Sequence, residues 1–277
     1  MAKRRVLAPQ GRLFGTNGVR FIPGVTGDMG FAVKLAESIG TYFREGEILV
    51  GRDGRLTGQM MFSAVTAGLM SAGRNVAEAD IVPTPALQFA TKALGYRGSV
   101  MVTASHNPSQ FNGVKVMGQD GVEISRLDEQ RIEKIFHDGS ANKADWKDVG
   151  TASPQPSVVR TYINGIISRV NVKLIAERKL KVVIDAGNGA QSIAAPHLLD
   201  ALGCRVITIN STIDGSFPGR GPEPTPENLR DLVMAVRASN ADLGVGYDGD
   251  GDRSIFCDEG GVKLHLHFNV LGNGQQS

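Results

Sequence analysis

Residues 98–116, GSVMVTASHNPSQFNGVKV, decide the fold of this chain. Residues 98–103 form a short apolar run that begins at a glycine, a pattern typical of a buried strand. Residues 111–116 have the pattern of a second strand that returns beside the first. The loop between them therefore lies at the end of a buried strand, which is where catalytic groups of open α/β sheets gather.

This loop carries a hydroxyl, Ser105, with a basic neighbour, His106. The loop could also be an ordinary turn, in which Pro108 fixes φ and Asn107 bonds its own backbone. The returning strand brings Lys115 back beside the loop. A lysine there could be a general base if its pKa is lowered, or a counter-charge for a phosphate.

Working outward, strands alternate with helices along the chain, which predicts an α/β fold with a mostly parallel sheet. Asp28 is a plausible N-cap for the first helix, and Thr84 is expected to cap a later one. The predicted helices cover residues 28–44, 59–71, 84–94, 127–137 and 158–170, with another from the turn at 186–189 to residue 202; the predicted strands cover 47–51, 181–185, 241–246 and a segment near Val76.

The chain divides into two similar units. Residues 138–156 are rich in Gly, Ser, Asn, Lys, Asp and Pro, as a linker should be, so we expect domains at 1–150 and 151–261 and a divergent tail at 262–277. Residues 69–76 and residues 199–206 share one pattern, in which a helix ends at a glycine and a strand follows. This repeat suggests two copies of one mixed, mostly parallel α/β domain, although every right-handed βαβ unit shares these features.

A second loop concentrates negative charge. In the segment Asp248-Gly249-Asp250-Gly251-Asp252-Arg253, three carboxylates stand at alternate positions. A calcium-binding loop is one alternative, since Glu259 occupies the twelfth position, but that motif needs glycine where Arg253 stands. A solvated acidic turn is another, but close carboxylates repel unless a cation or protons neutralise them. Mg²⁺ is bound by a few carboxylates together with a phosphate oxygen. A loop with a hydroxyl, Ser105, and a loop with three carboxylates therefore together indicate phosphoryl transfer.

Composition fits a globular protein of this kind. A length of 277 residues suggests about two domains. A net charge of +2 predicts no nucleic-acid partner, and no apolar run approaches the ~18 residues that a membrane span needs. The two cysteines, Cys204 and Cys257, are expected to be buried thiols, which indicates a cytoplasmic protein.

Four motifs in order resemble the α-D-phosphohexomutase superfamily, the group of phosphoglucomutase, phosphomannomutase and phosphoglucosamine mutase. They are residues 15–20 (GTNGVR), 103–108 (TASHNP), 221–229 (GPEPTPENL) and 248–253 (DGDGDR). The resemblance covers roughly residues 11–261 and implies that the two units are the first two domains of that fold. Among the family's sugars we favour glucosamine phosphate over glucose or mannose phosphate.

The resemblance also implies a role for each matching residue. Ser105 carries a phosphoryl group, and its phosphate holds Mg²⁺ together with Asp248, Asp250 and Asp252. The phosphoserine exchanges phosphate with a hexose phosphate, through a hexose 1,6-bisphosphate that also activates the enzyme. Self-association into a homo-oligomer is left open. The residues expected around the reacting groups are Arg20, His106, Lys115 and Arg253, and the resemblance implies acid/base work for Lys115 and His106.

The resemblance ends after Gly261, where family enzymes continue into a third and a fourth domain that bind the sugar and the distal phosphate. We therefore expect this chain alone to show little mutase turnover. Two alternatives follow: an incompetent fragment that keeps metal and sugar-phosphate affinity, or a Mg²⁺-dependent phosphatase. His265 and His267 would share a face if the tail is a strand, but two ligands without Cys or acidic partners argue against zinc.

Overall fold

The computed structural model describes residues 12–16 and 18–264. In this part of the chain two sheets form, one of six strands and one of five. The zinc question at His265 and His267 lies outside the described residues. No helix within the described ranges is both long and apolar enough to cross a bilayer.

The first unit is built on the six-stranded sheet. Its strands are β1 (Val19–Phe21), β2 (Ile48–Arg52), β3 (Val76–Ile81), β4 (Gly98–Val102), β5 (Asn112–Gly118) and β6 (Ala152–Pro154), in the spatial order β1-β5-β4-β2-β3-β6. Strands β4, β2, β3 and β6 run parallel, and β5 runs antiparallel to both β4 and β1. The helices are α1 (Met29–Phe43), α2 (Gly58–Ser71), α3 (Thr84–Ala93) and α4 (Arg126–Asp138).

Apolar side chains cover both faces of this sheet. One core lies between the sheet and α1, α2 and α4, and a second lies under α3 and the first helix of the following unit, α5 (Val158–Ile167). Burial on both faces explains why β2 and β4 read as continuous apolar runs rather than alternating patterns. The ends of these parallel strands are thereby held in fixed positions.

The second unit repeats this plan on the five-stranded sheet. After α6 (Val172–Arg178) come β7 (Lys181–Asp185), α7 (Ala195–Ala201), β8 (Arg205–Ile209), α8 (Arg230–Ser239), β9 (Leu243–Tyr247), β10 (Ser254–Asp258) and β11 (Lys263–Leu264). The spatial order β10-β9-β7-β8 matches β5-β4-β2-β3 of the first sheet, with the same parallel and antiparallel pairs. The predicted fold of two similar mixed α/β units is confirmed.

Most predicted elements are present with small shifts of their ends, and a few details differ. The Asp28 side chain caps α1 by accepting from the Phe31 amide at 2.8 Å, as predicted. Thr84 does not cap α3, because Pro83 holds the cap position and the Thr84 hydroxyl bonds elsewhere.

The helix predicted at 158–170 is present and ends at Ile167. A separate helix, α6, follows it, and Asn171 starts that helix by accepting from the Leu174 amide at 3.0 Å. The glycine turn at 186–189 leads into a short 3₁₀ segment, Ala190–Ile193, before α7 begins. Strand β6 lies inside the segment predicted as a linker and pairs with β3. The two cysteines are buried, as expected.

Candidate active site

Ser105 lies in the loop that follows β4. Its φ of 52° is left-handed, a conformation that costs energy for a residue with a Cβ and that clusters at functional sites. The backbone amide donates to Thr103 Oγ1 at 2.8 Å, and the Ser105 residue is only 1% exposed. Ser105 Oγ lies 3.3 Å from His106 Nδ1. These contacts fix the loop around a buried hydroxyl, and an ordinary turn does not require such contacts.

The three aspartates follow β9 and form one cluster. Ligand atoms of Asp248, Asp250 and Asp252 lie within 4.8 Å of one another. Asp248 and Asp250 are fully buried, while the Asp252 side chain is 24% exposed. The element before the loop is a strand rather than a helix, and Glu259 is not part of the cluster, so the calcium-loop alternative has no structural support.

The two loops meet between the two units. Ser105 Oγ donates a hydrogen bond to Asp248 Oδ2 at 2.9 Å. Gly249 permits this approach, since a Cβ there would lie 2.8 Å from the Ser105 carbonyl oxygen. The hydroxyl and the carboxylate cluster thus form one site.

Lys115 lies among the carboxylates and is 2% exposed. Its Nζ is 2.9 Å from Asp250 Oδ2 and 2.6 Å from Asp252 Oδ2. Burial would lower the pKa of Lys115, but Asp250 and Asp252 outweigh it and raise that pKa well above its ordinary value. In this arrangement Lys115 is a counter-charge for these two carboxylates.

The cluster has the properties of a cation site. Burial and the charges of Asp250 and Asp252 raise the pKa of Asp248 well above its usual range. Asp250 Oδ1 and Asp252 Oδ1 are buried without a hydrogen-bond partner among the described residues, since Lys115 contacts only the other oxygen of each. Buried carboxylate oxygens without donors are costly unless a cation takes them. The oxygen-only donor set suits Mg²⁺.

Thr84 is a residue of this site that sequence reasoning assigned a different role. Its hydroxyl donates to Asp250 Oδ2 at 2.7 Å, and its amide donates to the Asp250 carbonyl at 2.9 Å. Residues 248–253, the aspartate loop, thus lie against the first turn of α3, where backbone N–H groups favour negative charge. No signal in the sequence points to this contact, because it joins the two units.

The remaining expected residues line a cavity of about 380 Å³ beside Ser105. Arg20, His106 and Arg253 all face it. The Arg20 guanidinium donates to Asn107 Oδ1 at 2.5 Å, which connects β1 to residues 103–111, the serine loop. Burial, followed by the charges of Arg253 and Arg20, lowers the pKa of His106. A cavity with two guanidinium groups is suited to an anionic ligand.

Comparison with known families gives two matches in the order expected. Residues 11–143 match phosphoglucomutase/phosphomannomutase, alpha/beta/alpha domain I, and residues 160–261 match domain II of the same family. The chain is also similar to a solved phosphoglucomutase/phosphomannomutase family protein from Burkholderia thailandensis, with a TM-score of 0.82 and 30% identity over 93% of this chain and 56% of that one.

Two curated relatives extend the comparison. A phosphoglucosamine/phosphogalactosamine mutase of Sulfurisphaera tokodaii is 43% identical over 91% of this chain and 56% of the relative. A phosphopentomutase of Thermococcus kodakarensis is 42% identical over 90% of this chain and 54% of the relative. The chain thus spans just over half the length of these relatives.

Proposed function

Because the chain belongs to the phosphoglucomutase/phosphomannomutase family, we propose that it carries the phosphoserine and metal part of a phosphohexomutase. One observation carries the proposal: the Ser105 hydroxyl reaches a cluster of three carboxylates, 2.9 Å from Asp248 Oδ2. A phosphate on that hydroxyl would face three negative groups, an arrangement that is stable only with a cation between them.

The cation that fits is Mg²⁺. When bound, it supplies positive charge that stabilises the negative charge of a transferring phosphoryl group. Arg20 and Arg253 add positive charge from the cavity side. The residues that would hold the ion are Ser105 through its phosphate, Asp248, Asp250 and Asp252.

In the proposed reaction a hydroxyl of a hexose monophosphate takes the phosphoryl group of Ser105. The bond from phosphorus to Oγ breaks, a bond from phosphorus to the sugar oxygen forms, and one proton moves from the sugar hydroxyl to Oγ. His106 Nδ1, which lies 3.3 Å from Oγ, is placed to hold that proton during the transfer. The bisphosphate then turns over in the site, and the reverse step returns its other phosphate to Ser105, so the phosphate moves between the 1 and 6 positions.

The substrate is proposed to be a hexose phosphate, with glucosamine phosphate favoured. The cavity formed by Arg20, His106 and Arg253 supports an anionic sugar. Two relatives of nearly equal identity are named for amino sugars and for a pentose, so the test includes both kinds of sugar. The buried thiol of Cys204 supports the further proposal of a cytoplasmic location.

The experiment is phosphate incorporation at Ser105. The purified chain is incubated with Mg²⁺ and, in turn, the 1,6-bisphosphates of glucosamine, glucose and mannose or ribose 1,5-bisphosphate, and the peptide around Ser105 is sequenced by mass spectrometry. We expect one phosphate, on Ser105, and none in Ser105→Ala. Ser109, which lies in the same loop and is half-buried, is the matched control: Ser109→Ala should still be phosphorylated.

The outcomes separate the alternatives. Phosphate that appears on Ser105 and is then lost to water faster than it is passed to a sugar phosphate would indicate the phosphatase. Folded chain that binds Mg²⁺ but never gains phosphate on Ser105 would indicate a binding fragment and overturn the mutase proposal.

A further inference from the structure

Two buried arginines outside the predicted site hold the two functional loops. Arg55 follows β2, and Arg220 lies in the loop between β8 and α8. Their side chains are 0% and 4% exposed. Each pairs with an aspartate at the end of a central parallel strand: Arg55 Nε is 3.0 Å from Asp53 Oδ2, and Arg220 Nε is 2.8 Å from Asp185 Oδ2.

Arg55 donates hydrogen bonds to the backbone of the serine loop. Its Nη2 donates to the carbonyl of Ser105 at 2.6 Å and to that of Asn107 at 2.8 Å. Its Nη1 donates to the carbonyls of Pro108 and Phe111, both at 2.9 Å. With the bond to Asp53, all five N–H donors of the guanidinium are used. These hydrogen bonds hold the backbone of the serine loop in one conformation, and Ser105 Oγ is thereby held in one place.

Arg220 makes the corresponding contact at the start of the aspartate loop. Its Nη2 donates to the Tyr247 carbonyl at 2.5 Å, directly before Asp248, and to the Asp185 carbonyl at 3.3 Å. Its Nη1 donates to the carbonyl of Gly221 at 3.3 Å. The guanidinium thus ties β7, β9 and the loop before α8 together at the point where the carboxylate cluster begins.

The two aspartates are equivalent in the repeated fold. Asp53 Oδ1 accepts from the amide two residues ahead, that of Arg55, at 3.1 Å. Asp185 Oδ1 likewise accepts from the amide two residues ahead, that of Gly187, at 2.9 Å. Both therefore turn the chain in the same way at the end of the strand that neighbours the functional loop.

Strand register extends this equivalence to the site. Arg52, directly before Asp53, pairs with Val102, and Ser105 lies three residues further on. Ile184, directly before Asp185, pairs with Val245, and Asp248 lies three residues further on. Ser105 and Asp248 thus occupy the same position in the two units.

We propose that Arg55 and Arg220 are positioning residues, which fix the serine loop and the aspartate loop respectively so that Ser105 and its metal ligands meet in reactive geometry. This inference rests on the proposed function, because an effect on phosphoryl transfer requires that Ser105 carries the phosphoryl group. Arg55 acts on the placement of the phosphoryl-bearing oxygen, and Arg220 acts on the placement of the metal ligands.

The test compares Arg55→Met and Arg220→Met with two controls, Arg52→Met, whose partner Asp80 is exposed, and Arg205→Met, which is exposed on β8. Three quantities are measured on each purified chain: amide hydrogen exchange, Mg²⁺ affinity by calorimetry, and the rate of Ser105 phosphorylation by glucose 1,6-bisphosphate. In Arg55→Met we expect faster exchange in residues 104–111 alone and about 100-fold slower phosphorylation, the cost of a small misplacement. In Arg220→Met we expect faster exchange in residues 247–253 alone and about 10-fold weaker Mg²⁺ binding.

A charge-preserving variant distinguishes positioning from simple neutralisation of Asp53. Arg55→Lys keeps a positive charge beside Asp53, but one ammonium cannot reach four carbonyls at once. We expect this variant to recover thermal stability and not the phosphorylation rate. If Arg55→Met does not fold, Asp53→Asn with Arg55→Met removes both buried charges and takes its place.

Full recovery of phosphorylation in Arg55→Lys, or equal loosening of both loops in each single variant, would overturn the inference. Wild-type chain that takes no phosphate would refute the proposed function instead, and the exchange pattern of the two loops would still decide whether the arginines position them.

Discussion

Ser105 Oγ donates a 2.9 Å hydrogen bond to Asp248 Oδ2 across 143 residues of sequence. Ser105 follows β4, which pairs with β2, and Asp248 follows β9, which pairs with β7 in the same way. The site is therefore built by placing two copies of one fold so that their equivalent loops touch. The first unit supplies the hydroxyl of Ser105, and the second unit supplies the set of carboxylates.

Replacing Lys115 by Met should destabilise the metal-free protein and strengthen its response to Mg²⁺. Removing one partner of a buried ion pair costs about 3–5 kcal/mol, and here it leaves Asp250 and Asp252 without their nearest cation. Mg²⁺ then takes over the neutralisation of these carboxylates. Urea unfolding with and without Mg²⁺ measures the effect.

The control for this prediction is Lys134→Met, since Lys134 is 76% exposed and pairs with Asp138 on the surface. It should change stability by less than about 1 kcal/mol, with or without Mg²⁺. If Mg²⁺ stabilised Lys115→Met no more than the wild type, the carboxylates and the lysine would not share one cation site.

Asp250→Ala should abolish measurable Mg²⁺ binding, whereas Glu259→Ala should leave it unchanged. Asp250 belongs to the buried cluster and has a free oxygen, while Glu259 is exposed and lies outside the cluster. Calorimetric titration with Mg²⁺ and with Ca²⁺ decides between them. A strong preference for Ca²⁺ that Glu259→Ala removes would revive the calcium-loop interpretation.

Gly249→Ala should slow phosphorylation of Ser105 by about 100-fold through misplacement of the two loops. A Cβ at this position would lie 2.8 Å from the Ser105 carbonyl oxygen and 3.3 Å from the Phe217 ring, so the loops must move apart. Gly260→Ala is the matched control, because its Cβ would meet only Asp258 Oδ1 at 3.4 Å. Equal rates in the two variants would show that close contact between the loops is not required.

Glu133 should make stability depend on pH in the acidic range. Its Oε1 accepts from the amides of Leu13 and Phe14, both at 2.9 Å, which holds the segment before β1 against α4. Burial opposes ionisation, but the Phe14 amide, Arg126 and the Leu13 amide outweigh it and lower the pKa of Glu133. The carboxylate form therefore favours the folded state above the ordinary glutamate pKa of about 4.3, and this contribution is lost as the pH falls through the lowered pKa.

The variant Glu133→Gln isolates this contribution. At pH 7 it should lower the free energy of unfolding by about 1.5–3 kcal/mol, the contribution of hydrogen bonds to a charged group. The difference from the wild type should shrink toward zero as the pH falls through the lowered pKa of Glu133. A difference that is the same at pH 7 and pH 3 would mean that the charge of Glu133 has no part in holding residues 13 and 14.

The sequence was sufficient where structure is local. The apolar runs of β2 and β4, the Asp28 cap and the alternation of strands with helices follow from neighbouring residues, and these elements form as predicted. The loops at Ser105 and Asp248 could be found because hydroxyl and carboxylate chemistry is visible in a short motif.

Contacts between distant segments could not be predicted in this way. Thr84 was expected to cap α3, but the fold of the second unit brings Asp250 to its hydroxyl. Arg55 and Arg220 look like ordinary loop arginines until packing buries them beside Asp53 and Asp185. The charge state of Lys115 likewise depends on two carboxylates that lie 135 and 137 residues away.

The central claim is that a phosphate on Ser105 and the three aspartates hold one divalent cation. The most direct measurement is electron–nuclear double resonance on Mn²⁺ bound to chain in which phosphoserine has been incorporated at position 105 during synthesis. We expect a ³¹P coupling of the size given by phosphate bound directly to manganese, and we expect it to disappear in Asp250→Ala. Tightly bound Mn²⁺ with no ³¹P coupling would contradict this claim, because the phosphate and the carboxylates would then belong to separate sites.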